Sequence, residues 1–154
     1  MFDAGQERKG EEVMMNEKVV IVLTRVFLAV IGVIFLVTGI FTFFDPHAMG
    51  EALGIAPLNA SGETEIRATY GGLVVGSGLL VFSGLFNRLM TVAALAGTFF
   101  GAGGLMSTRI IIQATQGFTL NQGIVALFEL AIVVISFLLL RSAMRRASHR
   151  SSYQ

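Results

Sequence analysis

The chain has no cysteine, only two histidines, and charge on only 14% of its 154 residues. Without cysteine there is no disulfide, no thiolate nucleophile and no Cys-ligated metal or cluster, and thiol usage carries no information about compartment. His47 and His149 stand far apart in sequence, so no metal site is expected. A Ser/His/Asp set, a paired carboxylate and a metal-ligand constellation are also missing, which weighs against an enzyme. The Gly-rich run Gly101-Ala102-Gly103-Gly104 has neither the preceding strand nor the Lys-Ser/Thr that a phosphate loop needs, so its glycines are read as packing devices.

What is present in abundance is apolar surface. Hydrophobic residues make up 54% of the sequence, and the mean hydropathy is +0.75. Runs of near 20 apolar residues, each able to cross about 30 Å of hydrocarbon as a helix, recur four times with charges mostly between them. The expected fold is an all-α integral membrane four-helix bundle. Residues 1–18 read as a polar cytoplasmic arm, 19–141 as the transmembrane domain and 142–154 as a basic cytoplasmic tail. The arm is too acidic and too long for the n-region of a signal peptide, and no small-residue cleavage site follows, so the first span is expected to stay attached. Its Glu and Lys spacing supports a short helix, which Gly5 and Gly10 weaken.

The first span, about Val19 to Phe44, holds one charge, Arg25, roughly 9 Å along the helix and within snorkelling reach of headgroups. Asp45-Pro46 then reads as a helix end followed by an N-cap and a first-turn proline, starting a short interfacial helix that Gly54 stops. His47 falls in its first turn as an exposed residue. Residues 56–64 are a loop by turn chemistry, with Ser61 or Thr64 as cap for a second span over about Glu65 to Phe86. Glu63 and Arg67 stand at i and i+4 in the favourable order for an ion pair. The third span covers about Leu89 to Ile112, residues 113–123 form a polar turn, and the fourth span covers about Ile124 to Leu140.

Two ladders of small residues stand out, Ala68, Gly72 and Gly76 on span two and Ala93, Gly97 and Gly101 on span three. In a membrane such faces let helix backbones approach closely. Because Asn87-Arg88 leaves so short a connection, the two spans must form an antiparallel hairpin, and the ladders are expected to face each other.

Nine of the eleven Lys and Arg residues fall on one side of this topology (Arg8, Lys9, Lys18, Arg25, Arg88, Arg141, Arg145, Arg146, Arg150), and Arg67 and Arg109 on the other. The positive-inside tendency then makes both termini and the Asn87-Arg88 turn cytoplasmic, in a bacterial inner-membrane protein. Arg67 and Tyr70 come to the outer end of span two, Arg109 to the outer end of span three, and Glu129 roughly 8 Å in from the outer end of span four. Glu65, Arg67, Tyr70, Arg109 and Glu129 are therefore the candidate site. A lone carboxylate at that depth is costly, and the expectation is that Glu129 pairs with Arg109, with Arg67 as second partner and Tyr70 as hydrogen-bond donor.

The string Glu65-Ile66-Arg67-Ala68-Thr69-Tyr70-Gly71-Gly72, a Gly-rich helix, a basic turn, a third span ending in an Arg and a fourth containing a Glu resemble a family of small bacterial four-helix membrane proteins known as a domain of unknown function. The general build is also similar to that of DoxX-like proteins. The likeness runs from about Val19 to Arg141; it implies architecture and candidate residues and no reaction.

Two functional readings fit. In one, the polar cluster is a structural clasp in a non-catalytic accessory subunit that associates with a larger membrane complex or with itself. In the other, the cluster lines an outward-facing pocket for a lipid headgroup, a quinone or another small anionic or amphipathic molecule, with Arg67 and Arg109 binding the anion. Balanced charge favours the clasp. No cofactor is expected, although a bound lipid or quinone is compatible with the second reading. Membrane lipids are expected partners and nucleic acid is not, since the basic tail accompanies no soluble fold.

Overall fold

The computed structural model describes residues 4–117 and 120–151, with side chains described for 15, 17–117 and 120–146. Five helices follow in order: α1 (Ala4–Phe44), α2 (Pro46–Leu53), α3 (Ala60–Ser83), α4 (Arg88–Gln116) and α5 (Leu120–Ser151). No strand occurs among the described residues. Segments Glu17–Phe44, Ala60–Ser83, Arg88–Gln116 and Leu120–Arg146 are long and apolar enough to cross a membrane. The fold is a four-helix membrane bundle with a short helix between the first two spans.

Helix α1 runs 41 residues without a break, so the polar segment from Ala4 shares one helix with the first span despite Gly5 and Gly10. At 1.5 Å per residue it is about 60 Å long, twice the roughly 30 Å of hydrocarbon that a spanning helix has to cross. Its end is set by local chemistry. Asp45 Oδ1 accepts from Ala48 N at 3.0 Å, Pro46 occupies the first turn of α2, and Gly54 closes it at φ +70°, where a Cβ would be strained. Helix α3 begins earlier than its polar sequence suggests. Asn59, rather than Ser61 or Thr64, is the cap, accepting from Gly62 N at 3.0 Å.

Within α3, the six residues Arg67–Gly72 form a wide π-type turn. Such segments are uncommon and concentrate at functional positions. Here it coincides with the motif singled out by sequence. After Ser83, a tight turn leads to α4, held by Asn87 Oδ1 accepting from Leu89 N at 2.8 Å and by Thr91 Oγ1 donating to Gly84 O at 2.7 Å.

The close helix pair is not the one the ladders suggest. Helix α1 packs along α3, and α4 along α5, whereas α3 and α4 meet more sparsely. A Cβ at Gly39 would lie 2.7 Å from Val75 N and 2.8 Å from Gly71 O, and one at Gly78 would lie 3.0 Å from Leu36 N. Backbones therefore touch across α1 and α3 through Gly39, Gly71 and Gly78. The expected meeting of Gly72 and Gly76 with Ala93, Gly97 and Gly101 does not occur within the chain. Among the described residues, nothing from a neighbouring element lies within 4 Å of a Cβ built at Gly72, Gly76 or Gly101, and one at Gly97 reaches only Leu80 Cδ2 at 3.5 Å. The physical reason is the partner's shape. Span one supplies a glycine at the crossing and takes the Gly71 face of α3, one residue out of step with the ladder.

The apolar core gathers Leu28 and Ile31 of α1, Val81 of α3, Ala94 and Leu95 of α4, and Leu139 and Leu140 of α5. All lie in the half of the bundle nearer the 84–88 turn. In the opposite half the buried side chains include Thr42, Ile66 and Glu129.

Candidate functional site

Glu129 is a buried acid inside the fourth span, only 7% exposed. It sits nine residues into α5, about 13 Å from the helix start. Arg109 lies on the antiparallel helix α4 and donates from Nε to Glu129 Oε1 at 2.9 Å. Burial of the pair is uneven, with the Glu129 side chain 9% exposed and that of Arg109 29% exposed. The Nη1 group of Arg109 also donates to Gln122 Oε1. One guanidinium thus bridges two acceptors that stand seven residues apart, two turns along one face of α5. Glu129 Oε2 is buried with no hydrogen-bond partner among the described residues, and so is Gln113 Oε1, one turn beyond Arg109 on α4.

Arg67 is not part of this network. Its Nη2 lies 2.7 Å from Glu63 Oε1, one turn earlier on α3, and His47 Nε2 of α2 approaches the other Glu63 oxygen at 3.9 Å. No ion pair joins Arg67 to Glu129 within 4.0 Å among the described residues. Tyr70 makes no hydrogen bond to Glu129 among the described residues, and its side chain is exposed. Neighbour choice accounts for both departures. Because α3 packs on α1 and α5 packs on α4, residues of α3 at the same depth as Glu129 are not at the same place.

Tyr70 and Glu65 share a different setting. With Ile66 and Thr69 they form one wall of a groove of about 510 Å³, whose other wall is the loop from Ile55 to Asn59. No Arg or Lys lines it among the described residues. The five candidate residues therefore divide among three environments: a buried bridge (Arg109 and Glu129), a half-exposed ion pair (Arg67 with Glu63) and an open groove (Glu65 and Tyr70). Sequence reasoning overlooked Gln122, which it assigned to a polar turn. The signal was its seven-residue spacing from Glu129, which puts both on one helical face. The packing residues Ala68, Gly72, Gly76, Ala93, Gly97 and Gly101 lie on exposed faces of α3 and α4.

No group of three or more His, Cys, Asp or Glu that could hold a metal ion occurs among the described residues. Residues 23–140 match the family described as Domain of unknown function (DUF4345). The chain belongs to that family. Among curated proteins and among solved structures nothing matches it. The family spans all four membrane helices and so takes in the Arg109–Glu129 bridge, the wide turn at Arg67–Gly72 and the groove beside Tyr70.

Proposed function

We propose that this DUF4345 member is a non-catalytic accessory subunit of the bacterial cytoplasmic membrane that associates through its helices with a larger membrane complex. The observation that carries this reading is the outward direction of both small-residue ladders. Ala68, Gly72 and Gly76 on α3 and Ala93, Gly97 and Gly101 on α4 are exposed, on two successive helices. Against lipid tails a glycine face gains nothing over a leucine face, but it lets another backbone come close enough for dispersion contacts to accumulate. The bridge formed by Arg109, Glu129 and Gln122 then serves as an internal clasp that holds α4 and α5 in register. The nine-to-two distribution of Lys and Arg supports an orientation with both termini in the cytoplasm.

A second reading rests on the groove beside Glu65 and Tyr70. Its lining has a carboxylate and a phenol and no cation among the described residues, while Arg67 and Arg109 are engaged elsewhere. That chemistry suits a neutral amphipathic molecule such as a quinone better than an anion. Purification from native membranes followed by mass spectrometry separates the readings. Larger subunits in fixed ratio, lost on Gly76→Leu or Gly101→Leu, support the accessory role. A stoichiometric quinone without other proteins replaces it with the second reading, and a bare monomer overturns both.

A further inference from the structure

At the end of the bundle that carries the 84–88 turn, a cavity of about 920 Å³ opens between α1, the start of α4 and the end of α5. Each of these three helices contributes one guanidinium to its lining: Arg25, Arg88 and Arg146. No Asp or Glu lines it, and none of the three has a carboxylate within 4.0 Å, among the described residues. Arg146 is oriented by its own helix, its Nε donating to Ser142 O at 3.2 Å. The N-terminus of the 29-residue helix α4 lies in the same wall, with Asn87 as its cap. The rest of the lining is largely apolar, Ile21, Leu89 and Met144 among it.

Three like charges gathered at one concavity repel each other, and none of them has the acid partner within 4.0 Å, among the described residues, that Arg67 and Arg109 each have, so the cavity favours an anionic counter-charge. The helix dipole adds to the positive potential there and favours an anion with several acceptor oxygens. Guanidinium groups on one side match the geometry of phosphate, and apolar side chains on the other match acyl chains. We propose that this cavity is a binding site for the phosphate of an anionic phospholipid, of the phosphatidylglycerol or cardiolipin type, with Arg25, Arg88 and Arg146 as the phosphate-binding groups. Basic pockets between membrane helices are a recurrent place for such headgroups. The site is separate from the groove and the ladders, and it stands whether or not the protein joins a larger complex.

The test uses the full chain, purified in detergent and stripped of lipid, with thermal unfolding followed as phosphatidylglycerol, cardiolipin, phosphatidylcholine or inorganic phosphate is added at matched concentration. The two anionic lipids are expected to raise the melting temperature and phosphatidylcholine to leave it unchanged. Each of Arg25→Gln, Arg88→Gln and Arg146→Gln should weaken the anionic-lipid response about 10-fold or more, the usual effect of losing a charge-assisted hydrogen bond. Arg141→Gln, which removes the same charge outside the cavity, should not. Equal stabilisation by phosphatidylcholine, or a triple variant that responds like the parent, overturns the proposal. Full reproduction of the effect by inorganic phosphate overturns the lipid assignment and leaves a soluble phosphate compound as ligand. If the variants do not fold, native mass spectrometry of the unaltered protein decides, with equal retention of anionic and zwitterionic lipid counting against the site.

Discussion

Arg109 and Glu129 join two antiparallel helices through a 2.9 Å contact between Nε and Oε1, and the same guanidinium reaches Gln122. Replacing either partner leaves the other buried without its counter-charge, which costs about 3–5 kcal/mol in comparable sites. Glu129→Ala and Arg109→Ala should each destabilise the bundle, with Glu129→Ala toward the lower figure, because the arginine it leaves unpaired is the more exposed partner. The double variant should be milder than the sum, by about 0.5–3 kcal/mol of coupling. Unfolding in detergent of the four members of the cycle measures it, and strict additivity would contradict the clasp.

Gly39 and Gly76 should behave in opposite ways. A side chain at Gly39 collides with the backbone at Val75 and Gly71, whereas one at Gly76 meets nothing within 4 Å among the described residues. Gly39→Leu is expected to abolish the fold, since backbone cannot move aside as a flexible side chain can. Gly76→Leu should melt like the parent and, under the accessory-subunit reading, lose its partners. A Gly39→Leu variant with unchanged melting would refute the α1–α3 crossing.

Absence of cysteine makes the topology directly testable. Single cysteines at Ser61 and Ser151 should label from opposite sides of the membrane, Ser61 from the periplasm and Ser151 only after the cytoplasmic side is opened. Labelling of both from outside would reverse the charge-based assignment.

Asn59→Ala removes the cap of α3 and should lower stability by about 1 kcal/mol, while Ser61→Ala should change it by less than about 0.5 kcal/mol. The reverse order would restore the cap that sequence alone favours.

Four spans, the helix at Pro46–Leu53 and the depth match of Arg109 with Glu129 were legible because each depends on local pattern: apolar run length, the Asp45-Pro46 start with Gly54 as stop, and distance along a helix. Which helix lies beside which was not. Gly72 and Gly71 are adjacent letters on faces about 100° apart, and only the position of Gly39 on another span decides which of them is covered. The short 84–88 connection correctly makes α3 and α4 neighbours in order, but a hairpin turn does not require the tightest packing. Gln122 and the Asn59 cap were missed because a run of polar residues looks like loop until a helix start is located within it.

The wide turn at Arg67–Gly72 also makes chain length part of the structure. A π-type turn holds more residues per revolution than an α-helix, so the stretches before and after it are out of phase. Removing one residue, Ala68 for example, would let α3 run as a plain α-helix, since the wide turn is what accommodates the additional residue. Glu63 and Glu65 would keep their faces toward His47 and the 55–59 loop, and Gly71, Val75 and Gly78 would stay seated against α1. The same deletion in the regular turns after Leu73 would instead rotate everything on one side of it by about 100° around the helix axis. The wide turn is thus where this helix can lose a residue with least effect on its faces.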